Sequence, residues 1–186
     1  MSVPITIFLS VIAVLYLVYV ALIRKKNKVK EAASGIDVQL KKRYDLIPNL
    51  LQAAAKFMEH EKRLMEEITS LRTEAMNNSF MKNPQVSSKI ENELSSKLHD
   101  FNISVENYPD LKSSQTMVQL MSSLQDVEEN LAAARRFYNS AVNDLNNAVE
   151  IFPVSIIAHW LHIETKDFFK APEEEKKSIN VGDYLK

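Results

Sequence analysis

The sequence predicts an all-α protein: an N-terminal transmembrane helix followed by an antiparallel (up-and-down) bundle of three long helices plus a short fourth helix. Three observations predict it. Residues 3–23 are apolar throughout, with no charged residue and no Asn, Gln or His. Beyond them, apolar residues recur near the 3.6-residue period over long stretches. The chain also holds only 2 glycines and no cysteine. Scarce glycine argues against barrels, dinucleotide-binding turns and phosphate loops, which need its backbone freedom. Absent cysteine excludes disulfides, thiol catalysis and cysteine-ligated zinc.

As a helix, residues 3–23 are roughly 31 Å long, enough to cross a hydrocarbon layer of about 30 Å with every backbone group paired internally. A secretory signal would start with a cation, carry a shorter apolar run and end in a small-residue cleavage site. Here Met1-Ser2 precede the run, and Ala21-Leu22-Ile23-Arg24-Lys25-Lys26 follow it. An uncleaved anchor is the expectation. Arg24, Lys25, Lys26, Lys28 and Lys30 flank its C-terminal side, and such residues are retained in the cytoplasm. This places the protein in the cell (inner) membrane, single-pass, N-terminus outside and bundle inside. Tyr16 and Tyr19 fall toward the inner headgroup level, and Pro4 sits in the first turn, where its missing N–H does little harm.

The net charge of −1 hides an asymmetry. Lys41, Lys42 and Arg43 extend the basic flank, and the rest of the chain is acidic on balance. Each basic side chain beside anionic lipid is worth about 1 kcal/mol. Membrane lipid is thus an expected partner. Nucleic acid is not, because the cations lie at the bilayer and no base-reading motif follows.

The chain divides into an anchor with its basic flank (1–26), a helical bundle (27–170) and a charged mobile tail (171–186). Residues 27–78 read as one long helix or two joined ones, with Ile36, Leu40, Ile47, Leu50, Ile68 and Leu71 on its apolar stripe. Gly35 marks a possible break between anchor and bundle. Pro48 removes one helical hydrogen bond and crowds the Tyr44 carbonyl, so a kink is expected near 44–48. Asn77-Asn78-Ser79 and Asn83-Pro84 end this region. Residues 85–108 form the next helix, with Val86, Ile90, Leu94, Leu98, Phe101 and Val105 inward, and Pro109 stops it. Ser113 or Ser114 caps the third, 114–151. There Met117, Met121, Leu124, Leu131, Tyr138, Val142, Leu145 and Val149 hold the alternating spacing of a bundle seam. Glu128 and Arg135 fall on the same seam, as a core ion pair, an outward drift of the stripe, or a notch for a partner. Pro153 precedes a short fourth helix over 154–169, expected to cover the bundle near residues 40–51.

The run IDVQLKKRYDLIPNLL at 36–51 resembles the LemA family, as do His60-Glu61, Glu91-Asn92-Glu93-Leu94-Ser95, Glu106-Asn107-Tyr108-Pro109-Asp110-Leu111-Lys112, EENLAAARRFYNSAV at 128–142 and Ile151-Phe152-Pro153. The likeness covers roughly residues 28–170. It implies a single N-terminal membrane helix, an antiparallel helical bundle and no known enzymatic activity. Where relatives usually turn with a Gly-Phe pair, this chain has His162-Ile163. Within the shared runs, Arg43, Asp45 and Asn49 lie near Pro48, while Arg135, Arg136 and Asn139 lie at the equivalent height on the third helix. Their donors suit carbonyls that a kink exposes. A buried network or a docking surface is the expectation for them, with Glu128.

Chemistry finds little foothold. His60-Glu61 begins a zinc-protease pattern, but Leu64 stands where the second histidine belongs. His159 and His162, three apart, could share a helix face and bind a metal. No serine triad is visible, and no catalytic residue, cofactor or resident metal is assigned. The expectation is a scaffold or interaction protein without catalytic activity, binding other membrane or cytoplasmic proteins and copies of itself as a homo-oligomer. A lipid-binding or membrane-shaping module is the alternative.

Overall fold

The structure, a computed structural model, describes residues 3–169. It is all-helical, with no strand among the described residues: α1 Val3–Ala54, α2 Lys62–Asn77, α3 Pro84–Val105, α4 Pro109–Lys112, α5 Gln115–Glu150 and α6 Val154–Trp160. The charged segment 171–186 lies outside the described residues.

The 52 residues of α1 make a rod of about 78 Å. Its N-terminal part is long and apolar enough to cross a membrane, with a mean hydropathy of 2.7 over its most apolar window, of which only 6% is buried. Burial begins at Leu22 and continues through Val29, Ala32, Ile36, Leu40, Ile47 and Leu50. Steps of three and four keep these on one face. The apolar segment and the first bundle helix are therefore one continuous element. No break occurs at Gly35, whose missing side chain faces open space. Nor does Pro48 interrupt the helix.

The chain breaks instead at 55–61. This stretch contains neither glycine nor proline. Met58 and Phe57 both bond back to the Ala54 carbonyl, and Met58 is fully buried. Burial of one side chain, rather than a breaker residue, fixes the reversal, so 27–78 is two helices that double back on each other. α2 returns along α1 until the 78–83 turn, which the Asp37 carboxylate gathers by accepting from Ser79 Oγ (2.7 Å), Phe80 N (2.7 Å) and Met81 N (3.2 Å). Asn83 then caps α3 by accepting from Val86 N, with Pro84 in the first turn, where its missing N–H goes unneeded. Val86 itself stays exposed, whereas Ile90, Leu94, Leu98, Phe101 and Val105 are buried. Ser114 caps α5 through Met117 N.

α5 runs antiparallel to α1, for Arg43 meets Glu128 and Lys28 meets Asp144. The backbones of α1 and α5 lie close along their shared length, as do those of α2 and α3, while α3 stands off from both α1 and α5. Because residue 144 is level with 28, α5 ends beside Leu22. α6 therefore continues past it and lies against Ile12, Leu15, Tyr16 and Tyr19. That corrects the expected place of the fourth helix near 40–51, a height occupied by α2 and α3.

The fourth helix is also shorter than expected, ending at Trp160. The chain reverses at His162, whose φ of 51° is left-handed, the conformation that glycine adopts without strain. His159 and His162 consequently share no helix face. Residues 163–169 then climb along α5. Asn146 pairs with the Lys166 backbone (2.8 and 2.9 Å) and Asn139 with that of Phe169 (2.8 and 3.1 Å). Three residues of this strap match seven of α5, about 10 Å, so it is extended.

Candidate interaction groove

α1 carries Arg43 inward on the same face as Leu40 and Ile47. Its guanidinium is 1% exposed. A charge so placed is tolerated only with partners. Nη1 donates to Glu91 Oε2 (3.0 Å) and Nη2 to Ser95 Oγ (2.8 Å), both on α3. Nε lies 2.8 Å from Glu128 Oε1 on α5, an ion pair by distance but off the hydrogen-bond axis. The Tyr44 hydroxyl donates to the other oxygen of Glu91. One arginine therefore ties three helices together.

Glu91 is equally buried, at 1% exposure. Burial raises its carboxyl above the usual carboxylate range. The nearby Arg43 charge, the Tyr44 hydroxyl and the Arg135 charge pull it back only in part. The Tyr44 hydroxyl is pushed strongly up, first by burial and then by the Glu91 charge, and stays a donor. Arg135 spreads its guanidinium over the Phe169 ring, 4.5 Å from the centroid. The strap end is thus clasped by Arg135 and Asn139, and Phe169 packs on Phe80.

Because α3 stands off from α5, the charges floor a groove of about 760 Å³. Arg43, Glu128 and Arg135 lie at one end, Leu98, Met117, Met121 and Leu124 line the middle with His99 and Asn102, and Glu106 and Lys112 stand toward the other end. Among the described residues, no group of three or more His, Asp or Glu side chains is placed to hold a metal.

The family model for the LemA family matches residues 32–182. The chain belongs to the LemA family. It is similar to Protein LemA of Metamycoplasma hominis, 25% identical over 180 residues that cover 95% of this chain and 81% of that protein. The runs that carry the LemA resemblance meet in space. Arg43 and Tyr44 from the first reach Glu91 and Ser95 of the third and Glu128 of the fifth. Glu61, beside His60, accepts a 2.7 Å hydrogen bond from Tyr108, so this LemA pair ties the α1–α2 turn to the end of α3.

Not every residue singled out in the LemA runs joins the network. Asp45 is exposed and pairs with Lys41 at 3.9 Å, while Asn49 and Arg136 are exposed too. Asn139 serves the strap. The carbonyl that Pro48 leaves without its N–H, that of Tyr44, is taken by Arg72 Nε of α2 at 2.7 Å, not by a donor from α5. Glu91, Ser95, Tyr44, Arg72 and Asp37 were missed by sequence reasoning. For Glu91 the signal was there: it sits between Ser87 and Leu94 on the buried stripe of α3. For Arg72 there was none. On the basic flank, Arg24, Lys28 and Lys30 are exposed, and Lys25 and Lys26 half-buried. Arg43 does not belong to that flank functionally, because it is buried. Lys41 and Lys42 are exposed and lie about 27 Å beyond Ile23 along the helix.

Proposed function

We propose that this LemA-family chain is a single-pass membrane scaffold: the α1 anchor holds a rigid bundle at the cytoplasmic face, and the groove between α3 and α5 takes a segment of another protein or of a second copy. No catalytic step belongs to this reading. The observation that carries it is the apolar window of α1, of which the rest of the chain buries only 6% at a mean hydropathy of 2.7. Lipid is the solvent such a surface fits. Arg24, Lys25, Lys26, Lys28 and Lys30 support the inward orientation of the bundle. Copies fixed in one plane meet at high effective concentration, which favours self-association.

Protease added outside intact cells is expected to leave the chain from residue 24 onward whole. A photo-crosslinker at Val118 or Gln125, on the groove wall, is expected to join the chain to a second copy or to another protein in native membranes. Cleavage of the bundle from outside would overturn the orientation, and absence of any crosslinked product would overturn the scaffold role. The basic flank also favours a lipid-organising role. Replacing Lys25, Lys26, Lys28 and Lys30 by Gln should then lower the enrichment of anionic lipid around the protein in mixed vesicles.

A further inference from the structure

The anchor is not the only surface that asks for lipid. The stretch 151–163 holds no Asp, Glu, Lys or Arg, and it is bracketed by Glu150 and Glu164. Within it Ile151 (61%), Phe152 (75%), Ile156 (63%) and Trp160 (82%) are exposed. Ile156 and Trp160 are four apart on α6 and share a face. The opposite side of the same helix is fixed to the protein. Ala158 is fully buried, and Ile157 and Leu161 pack on the core.

The depth of this helix follows from its contacts. Ile157, Trp160 and Leu161 lie against Ile12, Leu15, Tyr16 and Tyr19 of α1. At the helical rise, those α1 positions are about 6 to 16 Å inward of Ile23, the last apolar residue before the basic flank. If α1 crosses the bilayer, α6 enters with it. We infer that residues 151–163 form a second membrane contact, a helix and reversal sunk into the bundle-side leaflet beside the anchor, with lipid as its occupant. This rests on the anchor reading proposed above.

Local chemistry fits a low-dielectric site. Turns at membrane depth are costly unless their backbone groups are paired. Here the reversal is internally bonded: Leu161 N donates to the Ile157 carbonyl, His162 N to that of His159, and Ile163 N to that of Ala158. Trp160 with His159 and His162 at the helix end gives an apolar body with polar tips, the kind of side chain that settles between acyl chains and headgroups. The charged residues return only where the strap climbs back beside α5, at Glu164 and Lys166.

Trp160 is the chain's only tryptophan, so the unaltered protein reports on itself. The full chain would be reconstituted into phosphatidylcholine–phosphatidylglycerol vesicles, with and without brominated acyl chains. Its emission is expected to be blue-shifted, to fall by roughly half with brominated lipid, and to resist aqueous acrylamide. Moving the probe, with Phe152→Trp in a Trp160→Phe chain, is expected to give a shallower position, because α5 ends level with Leu22. Alkaline carbonate extraction of the same vesicles separates the two readings. Protein that resists extraction but whose Trp160 is quenched by acrylamide and not by bromine overturns the second contact and leaves the anchor standing. Trp160 shielded from both quenchers overturns it in favour of a protein cover. Protein released by carbonate overturns the anchor and this inference together.

Discussion

α1 is held by its two neighbours in two different ways. Against α5 it presents a seam of Leu22, Val29, Ile36, Leu40 and Ile47 facing Leu124, Leu131, Tyr138, Val142 and Leu145, and the backbones lie close. The α2–α3 hairpin shares the apolar core through Ile68, Phe80, Leu94 and Phe101 and adds polar contacts: Arg43 to Glu91 and Ser95, Tyr44 to Glu91, Arg72 to the Tyr44 carbonyl, and Asp37 to the 78–83 turn. Apolar burial is non-directional and sets how tightly two helices approach. Hydrogen bonds and ion pairs are directional and fix where along α1 the hairpin sits. The stand-off they permit is what opens the groove. In this bundle the apolar seam makes the rod, and the polar contacts set the register of what is attached to it.

The comparison breaks first at Arg43. Arg43→Ala leaves Glu91 buried without its main cation, a change that costs about 3–5 kcal/mol when one partner of a buried pair is removed. Urea unfolding of the detergent-solubilised protein should show that loss. Replacing Arg43 and Glu91 together by Met should cost much less, because no fully buried charge is orphaned and Glu128, its side chain 38% exposed, meets water. Equal losses in the single and double variants would mean that Arg43 acts by packing rather than by charge.

Leu131→Ala tests the other side. Leu131 is fully buried on the α1–α5 seam, and such truncations cost about 2–5 kcal/mol. The distinguishing measurement is hydrogen exchange. Leu131→Ala is expected to raise exchange along α1 and α5, whereas Arg43→Ala is expected to raise it first in α2 and α3. Identical exchange patterns would erase the division of labour between seam and network.

That division also explains what could be read in advance. The α1–α5 seam was legible because periodic apolar spacing is a local signal: Met117, Leu124, Leu131, Tyr138, Val142 and Leu145 are all buried. So were the starts of α3 and α5, because Asn83-Pro84 and Ser114 announce themselves. The reversal at 55–61 was not, since burial of Met58 is a tertiary fact with no breaker residue to mark it. The end of α6 was misplaced because the apolar pattern of 154–169 continues through an extended strap, where Ile163 and Phe169 are buried by contact with other elements. Of the network, Glu128 and Arg135 stand out as charges on an apolar seam, and Arg43 as a donor near Pro48. Arg72 escaped because its partner is a carbonyl, and no sequence pattern records which donor will reach the Tyr44 carbonyl, 28 residues upstream of it and freed by Pro48.

Arg72 offers a smaller and more specific test. Arg72→Met removes the donor to the Tyr44 carbonyl and should cost about 1 kcal/mol, more if that oxygen is left dry. Pro48→Ala returns the backbone N–H that would serve the same oxygen. In a double-mutant cycle the Arg72→Met loss is expected to shrink in the Pro48→Ala background. Additive losses would show that the contact with the proline-freed carbonyl contributes nothing to the attachment of α2.

The smallest effect concerns pH and isolates Glu91. Its carboxyl is raised in the folded state, chiefly by burial, so the fold binds a proton there more readily than the unfolded chain does. Stability from this group is therefore full below the ordinary carboxylate range and is lost as pH rises through the folded-state value. The opposite slope would belong to a carboxylate held down by its cation. Subtracting the urea midpoints of Glu91→Gln from those of the native chain at each pH leaves the Glu91 contribution, because Gln does not titrate. The difference is expected to fall with rising pH over the window above the normal glutamate range and then level off. A difference that rises instead would mean that Arg43 and Arg135 outweigh burial, and that the centre of the network is a net electrostatic attraction rather than a buried acid tolerated for the register it fixes.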